Sequence, residues 1–275
     1  MQAIKEIIAR APAVMGILNL TPDSFSDGGK YLKPADALAH ALKMQDEGAD
    51  IIDVGAESTR PGALAVSAGE KIERLSNFFE KIFPKLAVPV SVDTRDVKVA
   101  EFAIGAGAKL LNDVSSLHLD AEKKIELLKK HKDVGYVLMH SRGHPQNMLD
   151  LCHYKDLITE LKTELRVHID ILEKNGIEQD RIILDLGVGF AKKGRQNLHV
   201  ISCLKEFAAL GYPLLLGISR KSFLQDYFAE KELREMTLGT ELSHFLALQG
   251  GAKILRVHEV SAAKRTIRFF NDCSF

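Results

Sequence analysis

Short apolar runs rich in β-branched residues alternate along the chain with longer stretches in which apolar positions recur every three or four residues. The runs are Val14–Leu18, Ile51–Val54, Val88–Val92, Leu110–Leu111, Tyr136–Met139, Ile182–Leu184, Leu214–Ile218 and Ile254–Val257. Each is nearly continuous in apolar character, the pattern of parallel strands covered on both faces. Helical stretches lie between them. Pro34 opens one, at a position where its missing N–H costs nothing, and Gly48 closes it. Asp156–Asn175 places Leu157, Leu161, Leu165 and Ile169 on one face and stops at Asn175-Gly176, and residues 237–249 form another helix before Gly250-Gly251. Eight strand–helix repeats in 275 residues predict an α/β fold, the (β/α)8 or TIM barrel, which uses about 250 residues as one domain. A doubly wound open sheet is the rival arrangement. It usually has fewer strands, and no GxGxxG follows the first run. No Pro-, Gly- or Ser-rich linker divides the chain, so residues 1–275 are expected to form a single barrel.

Composition narrows the partners. Thirty-seven basic residues balance 37 acidic ones, and a net charge of zero argues against a nucleic-acid or anionic-membrane binder. No apolar run approaches the roughly 20 residues of a membrane span. The N-terminal MQAIKEIIARAP is interrupted by Lys5, Glu6 and Arg10, so it lacks the apolar core of a signal peptide. Cys152, Cys203 and Cys273 are odd in number and widely spaced, without CxxC, and imply neither a disulfide framework nor a zinc knuckle. A cytoplasmic, reduced, soluble protein is the expectation.

The candidate chemistry follows from position. In such a barrel, reactive groups sit at the C-terminal ends of the strands. Within the ends of the successive runs or just after them come Asn19, Asp53, Asp93, Asn112-Asp113, His140-Ser141-Arg142, Asp185, Ser219-Arg220-Lys221, and Arg256 with His258. One or two such groups would be ordinary helix caps; all eight ends carrying one points to a site. Asp93, Asn112 and Asp185 suit a flat heterocycle with amino and ring N–H donors, since carboxylates beside an apolar barrel need partners. Lys221 lies where a strand becomes a helix, a place suited to a carboxylate or phosphate, although a solvated helix start carries similar charge. Arg256 and His258 alternate, so both face one side. They suit a diphosphate, or equally an ion pair with Glu259 or a neighbouring strand. The stretches after Asn19 and around Glu57-Ser-Thr-Arg-Pro-Gly are long enough to be lids over a charged substrate, or plain surface loops. No metal-ligand spacing appears, so an ion such as Mg2+ would be held mainly by substrate phosphates with Asn19 as one oxygen ligand.

The motifs MGILNLTPDSFSDGG (15–29), DVGAESTRPGA (53–63), SVDTR (91–95), NDVS (112–115), LMHSRG (138–143), LDLGVGFAK (184–192), GISRKS (217–222) and LRVHEV (255–260) resemble, in order and placement, those of the dihydropteroate synthase family. The resemblance spans nearly the whole chain. It implies a transferase of folate biosynthesis that joins p-aminobenzoate to hydroxymethyl-dihydropterin diphosphate, with diphosphate leaving before the arylamine attacks. By the same resemblance Asp93, Asn112, Met139, Asp185, Lys221 and Arg256 would bind the pterin. Asn19, Arg60, Arg256 and His258 would bind the diphosphate, with Asn19 as Mg2+ ligand. Thr59, Pro61, Phe190, Lys221 and Ser222 would line the p-aminobenzoate pocket, where sulfonamides also bind. Asn19, Asp93, Lys221, Arg256 and His258 would carry the catalysis, and a homodimer is implied. The chain departs from the family's usual pattern at Ala56, Leu186, Ala191, Glu241 and Glu259. Leu186 and Ala191 flank Phe190 and so bear on the p-aminobenzoate pocket. A pterin-dependent methyltransferase barrel would share the fold, but would have no reason to keep Asn19, Arg60, His258 and the SRKS turn.

Overall fold

Eight parallel strands pair in sequence order and close on themselves, with the first bonded to the last, and the open-sheet alternative is thereby excluded. The computed structural model describes residues 2–10, 12–21, 34–57, 66–144, 146–224 and 233–273. The order of elements is α1 (Gln2–Ala9), β1 (Ala13–Asn19), α2 (Pro34–Asp46), β2 (Ile51–Gly55), α3 (Ala68–Lys81), β3 (Val90–Asp93), α4 (Val97–Gly105), β4 (Leu110–Asp113), α5 (Ala121–Lys130), β5 (Gly135–Met139), α6 (Leu157–Lys174), β6 (Ile182–Asp185), α7 (Arg195–Ser202), α8 (Leu204–Ala208), β7 (Leu214–Leu216), α9 (Leu233–Gln249), β8 (Ala252–Val257) and α10 (Val260–Cys273). α6 matches the expected span, with the Asp156 carboxylate capping the Thr159 N–H at 3.0 Å and Asn175 beyond its last turn. The expected strand 214–218 is shorter than predicted, because Gly217 and Ile218 leave the ladder. β4 is longer than its two-residue apolar run, because Asn112 and Asp113 belong to it.

The period of two along each strand divides the apolar residues into two cores. Met15, Ile51, Leu110, Val137, Ile183, Leu215 and Ile254 form one buried cluster inside the barrel. Their sequence neighbours, among them Val14, Ile52, Leu111, Tyr136, Leu138, Ile182, Leu184 and Leu255, pack with the helices in the other. Ile4 and Ile7 of α1 join the inner cluster beside Ala13 and Met15, so this helix closes the N-terminal end of the barrel. The alternation also sorts the polar residues. Asn112 faces the barrel, whereas Asp113 next to it faces outward and is fully buried against Lys124 Nζ at 2.8 Å and the Tyr136 hydroxyl at 2.7 Å. An uncovered carboxylate there would be costly, so Lys124 ties α5 to β4.

Candidate active site

Two residues beyond an apolar member of the inner cluster, four of the strands turn polar. Ile51 is followed by Asp53, Leu110 by Asn112, Ile183 by Asp185 and Ile254 by Arg256. The strand register sets Asp93 beside both Gly55 and Asn112, and Met139 beside Asp185, so these groups ring the C-terminal end of one cavity. Arg256 is the hub. Its Nε donates to Asp53 Oδ2 at 2.6 Å and its Nη2 to Asp93 Oδ2 at 2.5 Å, while Asn112 Nδ2 donates to the same Asp53 oxygen at 3.0 Å. The sequence leaves Arg256 open between a ligand contact and an ion pair with Glu259 or a neighbouring strand, and the Glu259 pairing is the one the structure does not make. Instead the guanidinium reaches down between two carboxylates, and Glu259 pairs with Arg220.

Electrostatics follow from this burial. Removal from water pushes the Asp93 carboxyl up to about 7, against the pull of Arg256 and with a further push from Asp53. Burial also raises Asp185, moderated by the Gly187 N–H that donates to its Oδ1 at 2.8 Å. For Arg256, burial opposes the charge, yet the two flanking aspartates hold the guanidinium more firmly protonated than a free arginine. After these bonds are made, Asp53 Oδ1, Asp93 Oδ1, Asn112 Oδ1 and Ser91 Oγ remain buried without a protein partner. Three are pure acceptors, and a cluster of buried acceptors calls for a ligand that presents several N–H donors.

Other predicted groups surround this floor. A Cβ built on Gly55 would lie 3.6 Å from both Asn19 Oδ1 and Asp93 Cβ, which places Asn19, the last residue of β1, beside Asp93. Met139 is buried at the end of β5. His258 is half-buried just past β8, with Nδ1 3.0 Å from Ser219 Oγ. The Lys221 ammonium lies 4.3 Å from the centroid of the Phe190 ring, and its charge is felt by both Asp93 and Asp185. Gly189, at φ +82°, leaves room for the Lys221 stem, which would stand 3.1 Å from an added Cβ. Ser222 is exposed immediately beyond. A cavity of about 220 Å3 opens beside Phe190, lined also by Arg95, Ser115, Ser141 and Met148. Thr59, Arg60 and Pro61, and residues 22–29 of the first long motif, lie outside the described residues.

Among the described residues no three His, Cys, Asp or Glu side chains are grouped to hold a metal. The neutral amide oxygen of Asn19 fits a Mg2+ ion whose remaining ligands come from a diphosphate. Two groups matter more than the sequence indicated. Asp53 reads there as one strand-end group without a role of its own, whereas within β2 it holds both Arg256 and Asn112. Lys192 follows Phe190 in a charged-looking loop, yet it is 2% exposed, and no sequence pattern marks it as buried.

A closed (β/α)8 barrel with a donor-seeking pocket and the Lys221 ammonium beside it defines an enzyme that binds a flat heterocycle. Residues 15–258 match the family described as pterin binding enzyme. The chain is 42% identical over 249 residues to a dihydropteroate synthase of Synechocystis, covering 90% of this chain and 86% of the relative. A Yersinia pestis dihydropteroate synthase solved with a sulfonamide drug superposes with a TM-score of 0.89 at 36% identity, covering 96% and 94% of the two chains. A Xanthomonas albilineans dihydropteroate synthase with 4-aminobenzoic acid gives 0.87 at 37%, covering 95% and 93%. The chain belongs to the dihydropteroate synthase family of pterin-binding enzymes.

Proposed function

We propose that this chain condenses p-aminobenzoate with hydroxymethyl-dihydropterin diphosphate to give dihydropteroate and diphosphate, with Asp93, Asn112, Asp185, Lys221 and Arg256 around the pterin. The observation that carries the residue assignment is the cluster of buried, unpartnered acceptors on Asp53, Asp93 and Asn112, which complements the amino and ring N–H groups of a pterin. Met139 and the Arg256 guanidinium offer flat contacts to its faces.

In this reading the C–O bond to diphosphate breaks first, and the pterin ring delocalises the positive charge left on the methylene. Asp93, held at the ring by Arg256, stabilises that charge. Asn19 and His258, with Arg60, accept the departing diphosphate, and a bound Mg2+ would supply the charge neutralisation that makes diphosphate a good leaving group. The arylamine is a neutral nucleophile, so no strong general base is required. Phe190 and Ser222, with Thr59 and Pro61, would hold p-aminobenzoate against Lys221, the place where sulfonamides compete. The decisive experiment incubates the purified protein with both substrates and Mg2+ and measures diphosphate release and dihydropteroate; pterin binding without turnover would refute the synthase reading. Asn19→Ala is expected to lower turnover about tenfold to a hundredfold while leaving pterin affinity within about twofold, because it removes one oxygen from the leaving-group side only. A calorimetric titration with a non-reactive pterin beside steady-state rates checks this; a matching loss of affinity would remove Asn19 from the diphosphate role.

The proposed working unit is a homodimer in the cytoplasm. Leu238, Leu242 and Leu246 stand at spacings of four on α9 and are about half exposed, and Phe269 on α10 extends the patch, its ring 5.8 Å from that of Phe245. Such a stripe is the size and shape of a helix-pair contact between two copies. Leu242→Glu is expected to convert the dimer to monomer in sedimentation velocity; a wild-type protein that sediments as a monomer overturns the proposal. Among the described residues no helix is long and apolar enough to cross a membrane.

A further inference from the structure

Behind Phe190 runs a chain of buried and half-buried polar groups for which the condensation chemistry has no use. Lys192 follows Phe190 by two residues and turns its ammonium inward, donating to Gly187 O at 3.1 Å, Phe190 O at 3.0 Å and His140 Nδ1 at 3.0 Å. These three acceptors use its three N–H bonds. With its Nδ1 accepting, the His140 ring carries its proton on Nε2, which donates to Glu164 Oε2 at 3.0 Å. Arg142 then donates through Nε to Glu164 Oε1 at 3.1 Å and through Nη2 to Glu160 Oε2 at 2.8 Å. Its guanidinium lies 3.9 Å over the ring of Tyr154, whose hydroxyl donates to Ala191 O at 2.9 Å. The circuit begins and ends on one turn, residues 187–192.

Burial draws Lys192 down to about 7 and His140 down to about 3, the latter helped by the neighbouring ammonium, so the imidazole is neutral as the hydrogen bonds require. Burial tends to raise Glu164, but the bonds from His140 and Arg142 prevail and bring it to about 2. The turn would not keep its shape unaided. Gly187 has φ +61°, and an added Cβ there would lie 1.9 Å from His140 O. Ala191, where the family usually has glycine, sits at φ +46°, a left-handed conformation that a side chain disfavours. Its carbonyl is the one held by Tyr154, and the carbonyl of Phe190 just before it is held by Lys192. Asp185 precedes this turn and Phe190 lies within it, one on the pterin floor and the other beside Lys221.

We propose that Lys192 is a positioning residue for the condensation: by gripping the Gly187 and Phe190 carbonyls together with His140, it sets the angle at which the Phe190 ring faces the arylamine. Asp93, Asn112 and Arg256 come from other strands and are braced through Asp53, so only Asp185, through the Gly187 N–H, links the pterin floor to this grip. The inference rests on the synthase reading, and wild-type protein measured alongside separates the two: no condensation by wild type refutes that reading, whereas this inference is judged on the variants.

The experiment measures the KM for p-aminobenzoate, kcat, and the calorimetric Kd for a non-reactive pterin in Lys192→Met and Tyr154→Phe, with thermal melts as the folding control. Lys192→Met, similar in length but without donors, is expected to raise the arylamine KM about tenfold to a hundredfold through misplacement of Phe190. Its pterin Kd is expected to stay within about threefold of wild type, because the sites share few contacts. Tyr154→Phe deletes only the outer bond to Ala191 and is expected to raise the arylamine KM about two- to fivefold with the pterin Kd unchanged. A folded Lys192→Met protein with wild-type arylamine KM overturns the proposal, as does one in which arylamine KM and pterin Kd rise by the same factor. Should Lys192→Met not fold, Tyr154→Phe decides, and an unchanged KM in that variant overturns it.

Discussion

Arg256→Ala is expected to abolish measurable turnover and to lower stability more than any other single truncation at the pocket. The guanidinium is the partner of two buried carboxylates, and removing one member of a buried ion pair costs about 3–5 kcal/mol because the other is left uncompensated. The loss should depend on pH in a defined direction. In the folded protein the Asp93 carboxyl lies at about 7, above its ordinary 3.8. The folded state therefore keeps a proton that the unfolded chain releases, so stability from this group is full below 3.8 and is lost as pH rises through about 7. Without Arg256 that carboxyl rises further, and the deficit in urea-unfolding free energy should be larger at about pH 8 than at about pH 6. Arg256→Lys keeps the charge but not the fork that spans Asp53 and Asp93, and should recover only part of either property. A deficit independent of pH would show that Asp93 is not the carboxylate left exposed to the loss.

Asp93→Asn should weaken pterin binding about tenfold to a hundredfold, the range for loss of hydrogen bonds to a charged acceptor. It should also change the shape of the pH–rate profile. If the carboxylate form does the work, wild-type kcat/KM for the pterin diphosphate falls on the acid side of about 7, where Asp93 takes up its proton. In Asp93→Asn that limb disappears, leaving a low, flat rate. Activity and this group's contribution to stability thus run in opposite directions across the same pH interval. An acid limb that survives the substitution would assign the titration elsewhere, with Asp185, whose carboxyl is also raised by burial, the next group to replace.

The barrel was legible because parallel strands buried on both faces read as apolar runs, and helix α6 was legible down to its caps at Asp156 and Asn175. Legibility failed where burial and polarity coincide. β4 reads as two residues because Asn112 and Asp113 look like a turn, although one completes the pocket and the other anchors α5 through Lys124. Asp53 stands out in the sequence only as one strand-end group among eight, and its hold on Arg256 and Asn112 exists only in three dimensions. The N-terminal helix was unreadable as a plug: nothing local shows that Ile4 and Ile7 pack under the barrel. Lys192 shows the limit most clearly. A lysine followed by another lysine and a glycine reads as solvated loop, and its burial depends on His140, about fifty residues away, and on a circuit that closes only in three dimensions.

The plug at the N-terminal end has a further consequence. A pocket floored by the packed inner cluster, with Ile4 and Ile7 beneath it, fills and empties through one mouth. The heterocycle pocket lies at the depth of Asp93 and Asn112, with Phe190 and Ser222 nearer the opening, so on the proposed assignment whatever occupies the upper level bars traffic to the lower. Substrates must then load in a fixed sequence, pterin before arylamine, and the joined product must withdraw as a whole before the next pterin descends. The packed layer beneath the pocket, backed by the N-terminal helix, is thus what turns a two-substrate pocket into a queue.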